Sequence, residues 1–245
     1  MPEAATDRGV RVEWHGDVVV AAVDRPERRN AADLDVYHAL EDVVRDERAA
    51  AVVLGRGGCD FSAGDDVAIF DFADEKSADR FLVDVTRIFQ EIEAVPRPVI
   101  AAVDGYALGF GFELALACDL VISTPTAVFG LPEVVHGAAP PNAIGRAPDV
   151  IGRGLTRHLA LRGRRWLTGE EAHRYGLVAE LHPGDQLQDA AVSLARAAAA
   201  EPGFAAAKRL LSLGADRAYR LAPMMMPRLM ASRRVAESRA RYARG

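Results

Sequence analysis

Residues 105–133 read GYALGFGFELALACDLVISTPTAVFGLPE. Three patterns abut within this run, and together they decide the fold class. Glycines at 105, 109 and 111 mark a turn, the segment around Glu113 continues as an apolar helix, and DLVIS (119–123) and TAVFG (126–130) are short β-prone runs. PVIAAVDG (98–105) directly precedes the turn and reads as a strand buried on both faces. Strand, glycine turn, helix and strand in succession argue for an α/β core. The same run carries two carboxylates, Glu113 and Glu133, among small and apolar residues, where an unanswered charge is costly.

Outward from this centre the elements continue the pattern. VRVEW (10–14) and DVVVAAV (17–23) flank His15-Gly16 and predict an antiparallel hairpin. A helix is expected over 32–47, with Leu34, Leu40, Val43 and Val44 on one face. AAVVLG (50–55) is a further buried strand, GRGGCDFSAGDD (55–66) a loop, and 77–94 a helix ended by Pro96 and Pro98. Beyond Pro140 helices are expected over 142–162, 168–175, 186–200 and 203–214, with Pro223 and Pro227 redirecting the chain.

Composition excludes several classes. In 245 residues, hydrophobic residues make up 50% and charged ones 27%, ordinary for a globular chain. The net charge of -5 gives no reason to bind nucleic acid or an anionic membrane. The basic end RRVAESRARYARG reads as a solvated helix face or a phosphate contact. Cys59 and Cys118 have no metal-ligand spacing, and the six histidines form no H-x-x-x-H pattern, so no metal is expected. The start MPEAATDRGVRVEW lacks the charge and apolar run of a signal peptide, and no apolar segment is long enough to span a bilayer. A cytoplasmic protein is expected.

Neither a phosphate loop nor a dinucleotide fingerprint is present. Ser62 lacks the flanking glycines of a nucleophile elbow. What remains is a pair of glycine-containing loops, FSAGDD (61–66) and ALGFGFE (107–113), each after a buried strand. The second opens a helix whose first amides lack internal partners. Amides from two such loops aimed at one point would hold a carbonyl oxygen as it gains negative charge, and a neighbouring carboxylate could then move protons beside an enolate. Glu113 in a first helical turn also suits the helix dipole, and Glu133 after Pro132 fits a helix start; the residues alone leave both readings open.

DRPERRNA (24–31), FSAGDD (61–66), AAVDGYALGFGFELALACDLVIS (101–123), FGLPEVVHG (129–137) and LTGEEAHRYGLVAEL (167–181) together resemble the successive signatures of the enoyl-CoA hydratase/isomerase, or crotonase, superfamily. The resemblance implies an α/β fold: a crotonase-like ββα spiral core over 1–185 and a C-terminal helical subdomain over 186–245 with oligomer contacts. It implies an acyl-CoA thioester substrate and no separate cofactor, coenzyme A being part of the substrate. The amides of Ala63 and Phe110 would form the oxyanion hole. Glu113 would activate water for attack at C3, and Glu133 would exchange the proton at C2. Substrate contacts are expected from Arg28, Ser62, Gly64, Asp65, Asp66, Gly109, His136 and Pro141, with the backbone of 63–66 and the basic Arg28 and Arg29 near the adenine and phosphates.

Apolar neighbours Phe110, Phe112, Leu114, Phe129 and Leu131 should raise both glutamates' pKa values, and mutual repulsion should raise one further. GAAPPNAIGR (137–146) departs from the glycine-rich loop of hydratases, with Pro141 and Asn142 in place of small residues. Hydration of a 2-enoyl-CoA is the leading reading, favoured by the retained glutamate pair; the departure keeps 3,2-enoyl-CoA isomerisation or another crotonase-fold acyl-CoA reaction as the alternative, ahead of an acyl-CoA-binding role without chemistry. The family assembles as trimers and hexamers, and LAPMMMPRLM (221–230) suits burial at such an interface, or as a lid over the core.

Overall fold

The hairpin forms first in chain order. In the computed structural model of the chain, which describes residues 4–5, 8–55, 57–58 and 60–212, β1 (Ala4–Ala5) pairs with β2 (Val10–His15), and β2 turns back into β3 (Val18–Val23). A 3-10 turn at Pro26–Arg28 leads to α1 (Leu34–Arg45), whose start is fixed by the Asp33 side chain accepting the Val36 amide at 3.1 Å. Next come β4 (Ala51–Gly55), a 3-10 turn at Val67–Phe70, and α2 (Glu75–Ala94), opened by a reciprocal Asp74–Ser77 capping box. β5 (Val99–Val103), β6 (Tyr106–Leu108), α3 (Phe110–Ala117), β7 (Leu120–Ser123) and β8 (Val128–Gly130) follow. The rest comprises a 3-10 turn at Glu133–His136, α4 (Pro141–Ile151), α5 (Arg153–Arg162), β9 (Trp166–Thr168), α6 (Gly169–Arg174), β10 (Glu180–Leu181), α7 (Leu187–Ala199) and α8 (Phe204–Ser212). The residue Cys59, the stretch LAPMMMPRLM (221–230) and the basic C-terminal end lie outside the described residues.

Two sheets result. The larger has the order β1-β2-β3-β4-β5-β7-β10, antiparallel up to β3 and parallel from β3 onward; the smaller has the order β6-β8-β9. Period-two alternation divides the larger sheet's side chains between two cores. Val18, Val20, Ala51, Val53, Ile100, Ala102 and Ile122 face Leu187, Ala191, Val192 and Ala195 of α7. Val19, Ala21, Val52, Leu54, Ala101 and Val103 join the other, larger core with α1, α2 and α3. Burial on both faces is why these strands read as continuous apolar runs.

Three elements differ from expectation. The helix expected over 142–162 is two helices, because Gly152 takes φ 79 between them. β6 falls where the glycine turn is expected and β9 where no element is; at three residues each they exist because β8 pairs with both. The two-residue β10 closes the larger sheet on β7.

Candidate active site

The first loop is pinned from both sides. After the 3-10 turn, Arg29 and Asn30 take left-handed φ values of 51° and 58°, a conformation that asparagine tolerates better than most residues. The fully buried Asn30 side chain accepts the Arg25 amide at 2.9 Å and donates to the carbonyls of Gly57 and Asp60 at 2.7 and 2.5 Å. This lays residues 29–32 along the loop: Ala63 donates to the Arg29 carbonyl at 3.0 Å, Ala32 to Gly64 at 2.8 Å, and Asp66 to Ala32 at 2.8 Å. On the other side Ser62 donates to Tyr106 and accepts from Leu108, and its hydroxyl accepts the Gly64 amide at 3.2 Å. Of the amides from Ser62 to Asp66, that leaves Asp65 alone without an acceptor among the described residues. The expectation for Ala63 is therefore corrected: its N–H is committed to Arg29, and the open donor of this loop is Asp65.

The second loop supplies the matching donor. Gly109 caps α3 with φ 52 and ψ -118, a region closed to residues with a side chain. The first intrahelical donor is Glu113, bonded to the Gly109 carbonyl at 2.9 Å, so the Phe110 amide precedes the ladder and is open. A Cβ on Gly111 would lie 2.7 Å from the Ser62 carbonyl oxygen, so only glycine lets the helix start pack on the first loop. A Cβ on Gly109 would lie 3.7 Å from Gly64 Cα and 3.2 Å from Glu133 Oε1. Both loops and one glutamate thus converge on a single point.

The two glutamates have opposite surroundings. Glu113, on α3, is 7% exposed, and its Oε1 accepts the amides of Asn142 and Ala143 at 2.9 Å each, from the first turn of α4. Burial pushes its pKa up to about 7 against the pull of the Ala143 amide, with Asp65 adding to the rise and Arg146 opposing it. Glu133 opens its 3-10 turn, and both its carboxylate oxygens are buried with no hydrogen-bond partner among the described residues. Burial raises its pKa well above the ordinary value, and the Glu113 charge raises it further. The two amides favour the charged form of Glu113, and no such donor does so at Glu133 among the described residues.

Not every expected contact residue reaches this centre. Ser62 is fully buried and spends its hydroxyl inside the loop, where it shapes the backbone. Asp66 caps the turn at 67–70 through the Ala68 amide and pairs with Arg25 at 3.3 Å and with the exposed Arg28 at 3.8 Å. His136 ends the turn that Glu133 begins, and Pro141 is the first residue of α4, next to the amides that hold Glu113. Asp65, expected near phosphates, instead accepts the buried Tyr37 hydroxyl at 2.5 Å, and burial pushes its pKa up to about 6. Its carboxyl acts on both glutamates, an anionic position ill-suited to a phosphate.

Sequence reasoning missed Tyr37, the Asn142 and Ala143 amides, and Arg146. Arg146 donates to Glu93 at 2.6 Å and to the Asn142 carbonyl at 3.3 Å, so it braces the turn that holds Glu113. Only its spacing, one helical turn past Asn142, was available as a signal.

Comparison with known proteins agrees with this geometry. The family described as Enoyl-CoA hydratase/isomerase matches residues 13–225. Enoyl-CoA hydratase domain-containing protein 2, mitochondrial, of Homo sapiens is 38% identical over 203 residues, covering 80% of this chain and 69% of that protein. Short-chain-enoyl-CoA hydratase of Clostridium acetobutylicum is 32% identical over 192 residues, covering 76% and 73%. The crystal structure of an enoyl-CoA hydratase from Mycobacterium avium subsp. paratuberculosis K-10 superposes with a TM-score of 0.85 at 25% identity, covering 97% of this chain and 100% of that one. The α/β crotonase fold expected from the five signatures is the fold observed. The convergence of the two loops and a family match across most of the chain lead to one assignment: the chain belongs to the enoyl-CoA hydratase/isomerase, or crotonase, family.

Proposed function

We propose that the protein hydrates a 2-enoyl-CoA thioester to the 3-hydroxyacyl-CoA. The carrying observation is the asymmetry of the glutamates: Glu113 is held by two amides, and Glu133 is buried without a partner. In this reading Glu113, ionised, takes a proton from water as the water oxygen bonds to C3. The C2–C3 π electrons move toward the thioester, and the amides of Asp65 and Phe110 hold the carbonyl oxygen as it becomes an enolate oxygen. Glu133, protonated, delivers its proton to C2. A proton passing back from Glu113 to Glu133 through solvent restores the starting state. Environments that separate the protonation of two carboxyls are what acid–base addition requires. The names of the Clostridium relative and of the crotonyl-CoA hydratase of Syntrophomonas wolfei, 34% identical over 182 residues, support the same chemistry. Arg28, exposed beside Asp66, is the cation we place nearest the coenzyme A phosphates.

The test is loss of enoyl-thioester absorbance with crotonyl-CoA. Wild type should turn over, and Glu113→Gln and Glu133→Gln should each lose about a hundredfold or more in kcat. Activity of Glu113→Gln at wild-type level, with a 3-enoyl-CoA isomerised, would instead establish isomerisation through Glu133 alone.

A further inference from the structure

Asp65 and Tyr37 form a polar pair inside the same enclosure as the glutamates. The contacts close a ring. Asp65 follows Gly64, whose Cα lies 3.7 Å from the Cβ position of Gly109, and Glu133 Oε1 lies 3.2 Å from that position. Phe110 follows Gly109, the Tyr37 ring packs on Phe110 at 4.5 Å between centroids, and the Tyr37 hydroxyl returns to Asp65 Oδ1 at 2.5 Å. A carboxylate offers two oxygens, and Tyr37 answers one. Asp65 is half-buried, and no donor among the described residues meets its Oδ2, while the fully buried oxygens of Glu133 beside it are unmet as well. Among the described residues no cationic side chain pairs with Asp65: Arg25 and Arg28 are taken by Asp66, and Arg146 by Glu93. A carboxylate oxygen that the protein leaves open and reachable beside the reacting centre marks where a ligand's donor belongs.

We propose that Asp65, oriented by Tyr37, is a specificity-determining residue that receives a hydroxyl on the acyl chain beyond C3. The preferred substrate class is then a short, hydroxylated 2-enoyl-CoA in place of a plain alkyl one. This rests on the hydratase reading for the reaction but not for the binding preference. A chain ending in a carboxylate is disfavoured by the same three acidic groups. Tyr37 stands on α1 and Asp65 on the loop before α2, so the pair also fixes how closely those elements approach.

The experiment has two arms. The first compares kcat/KM for 4-hydroxycrotonyl-CoA and crotonyl-CoA in wild type, Asp65→Ala and Tyr37→Phe. The second measures Kd for the unreactive 4-hydroxybutyryl-CoA and butyryl-CoA by calorimetry on the same proteins. Wild type should favour the hydroxylated member of each pair, and Asp65→Ala should lower that ratio about ten- to a hundredfold, the usual worth of a hydrogen bond to a charged group. Tyr37→Phe should lower it in the same direction and serves where Asp65→Ala does not fold. Equal kcat/KM and equal Kd for the two chains in wild type would overturn the inference; so would a preference that survives both substitutions. If no thioester is hydrated but 4-hydroxybutyryl-CoA binds more tightly through Asp65, the hydratase reading falls and this one stands.

Discussion

Glu133 is held where its charged form is least welcome, and that has a consequence for stability as well as for rate. A carboxyl whose folded pKa lies above its unfolded value supports folding fully below the unfolded value, and the contribution is lost as pH rises through the folded one. Glu133 shifts in that direction because of burial and the Glu113 charge. Glu133→Gln should therefore unfold at a higher Tm than wild type at pH 8, by a few degrees for about 1 kcal/mol in a chain of this size, and the difference should close toward pH 4. Calorimetric scans across that range decide it; a Tm gap that does not depend on pH would mean that Glu133 is not protonated by its site. At Gly109 the constraint is backbone. Gly109→Ala would place a methyl 3.2 Å from the Glu133 carboxylate at a φ of 52 with ψ -118, so we expect kcat/KM to fall more than tenfold together with a loss of stability on the order of 1–3 kcal/mol. Activity assays beside urea unfolding separate the two effects.

Helix α4 is the element on which the chemistry leans from outside. Its first-turn amides hold Glu113, and Arg146, one turn on, ties that turn to Glu93 while lying over the Phe89 ring at 5.9 Å. The guanidinium also pulls the Glu113 pKa down against burial. Kcat/KM should climb with pH as Glu113 ionises near its pKa of about 7, and fall again at higher pH as Glu133 loses its proton. Arg146→Met removes the pull, so the acidic limb should move upward by roughly one pH unit, and Glu93→Gln in the same chain should recover stability without returning the limb. A limb that stays in place would show that Arg146 braces the helix without tuning Glu113. None of this was legible in GAAPPNAIGR, where Pro141 and Asn142 read as departures from the family loop. The glycine spacing, the strand runs and the two glutamates were legible, because a turn, a two-faced strand and a buried charge each leave a local mark. Which amide of FSAGDD stays open was not, since Arg29, 34 positions before Ala63, decides it through the left-handed turn at Asn30. The three-residue strands β6 and β9 escaped for the same reason, since β8 pairs with both, whereas Gly152 breaks its helix locally through a φ of 79.

Across the whole molecule, the active-site loops issue from a sheet clamped on both faces, and the two clamps differ in kind. The face with α1, α2 and α3 forms the large core that contains Phe110 and Phe112, while among the described residues the opposite face is covered by α7 through Leu187, Ala191, Val192 and Ala195. After α7 the chain returns to the α2 side, and there a buried ion pair fastens α8. Lys208 Nζ, on a residue 5% exposed, donates to Asp119 Oδ2 at 2.7 Å and to the Arg97 carbonyl at 2.9 Å, while the same Asp119 oxygen accepts the Val99 amide at 2.8 Å. Asp119 and Arg97 flank the entry to β7 and β5, so this pair joins the last described helix to the two strands that carry the site. Removing one member leaves the other charged and buried, which typically costs about 3–5 kcal/mol. Lys208→Met should accordingly speed hydrogen exchange over 204–212 far more than over β3, β4 and β5, whose protection follows global unfolding. Adding Asp119→Asn, which keeps an acceptor for Val99 without the charge, should restore part of that protection. If exchange instead rises equally in α8 and in the central strands, α8 opens only with the whole fold, and the ion pair secures the entire molecule at once.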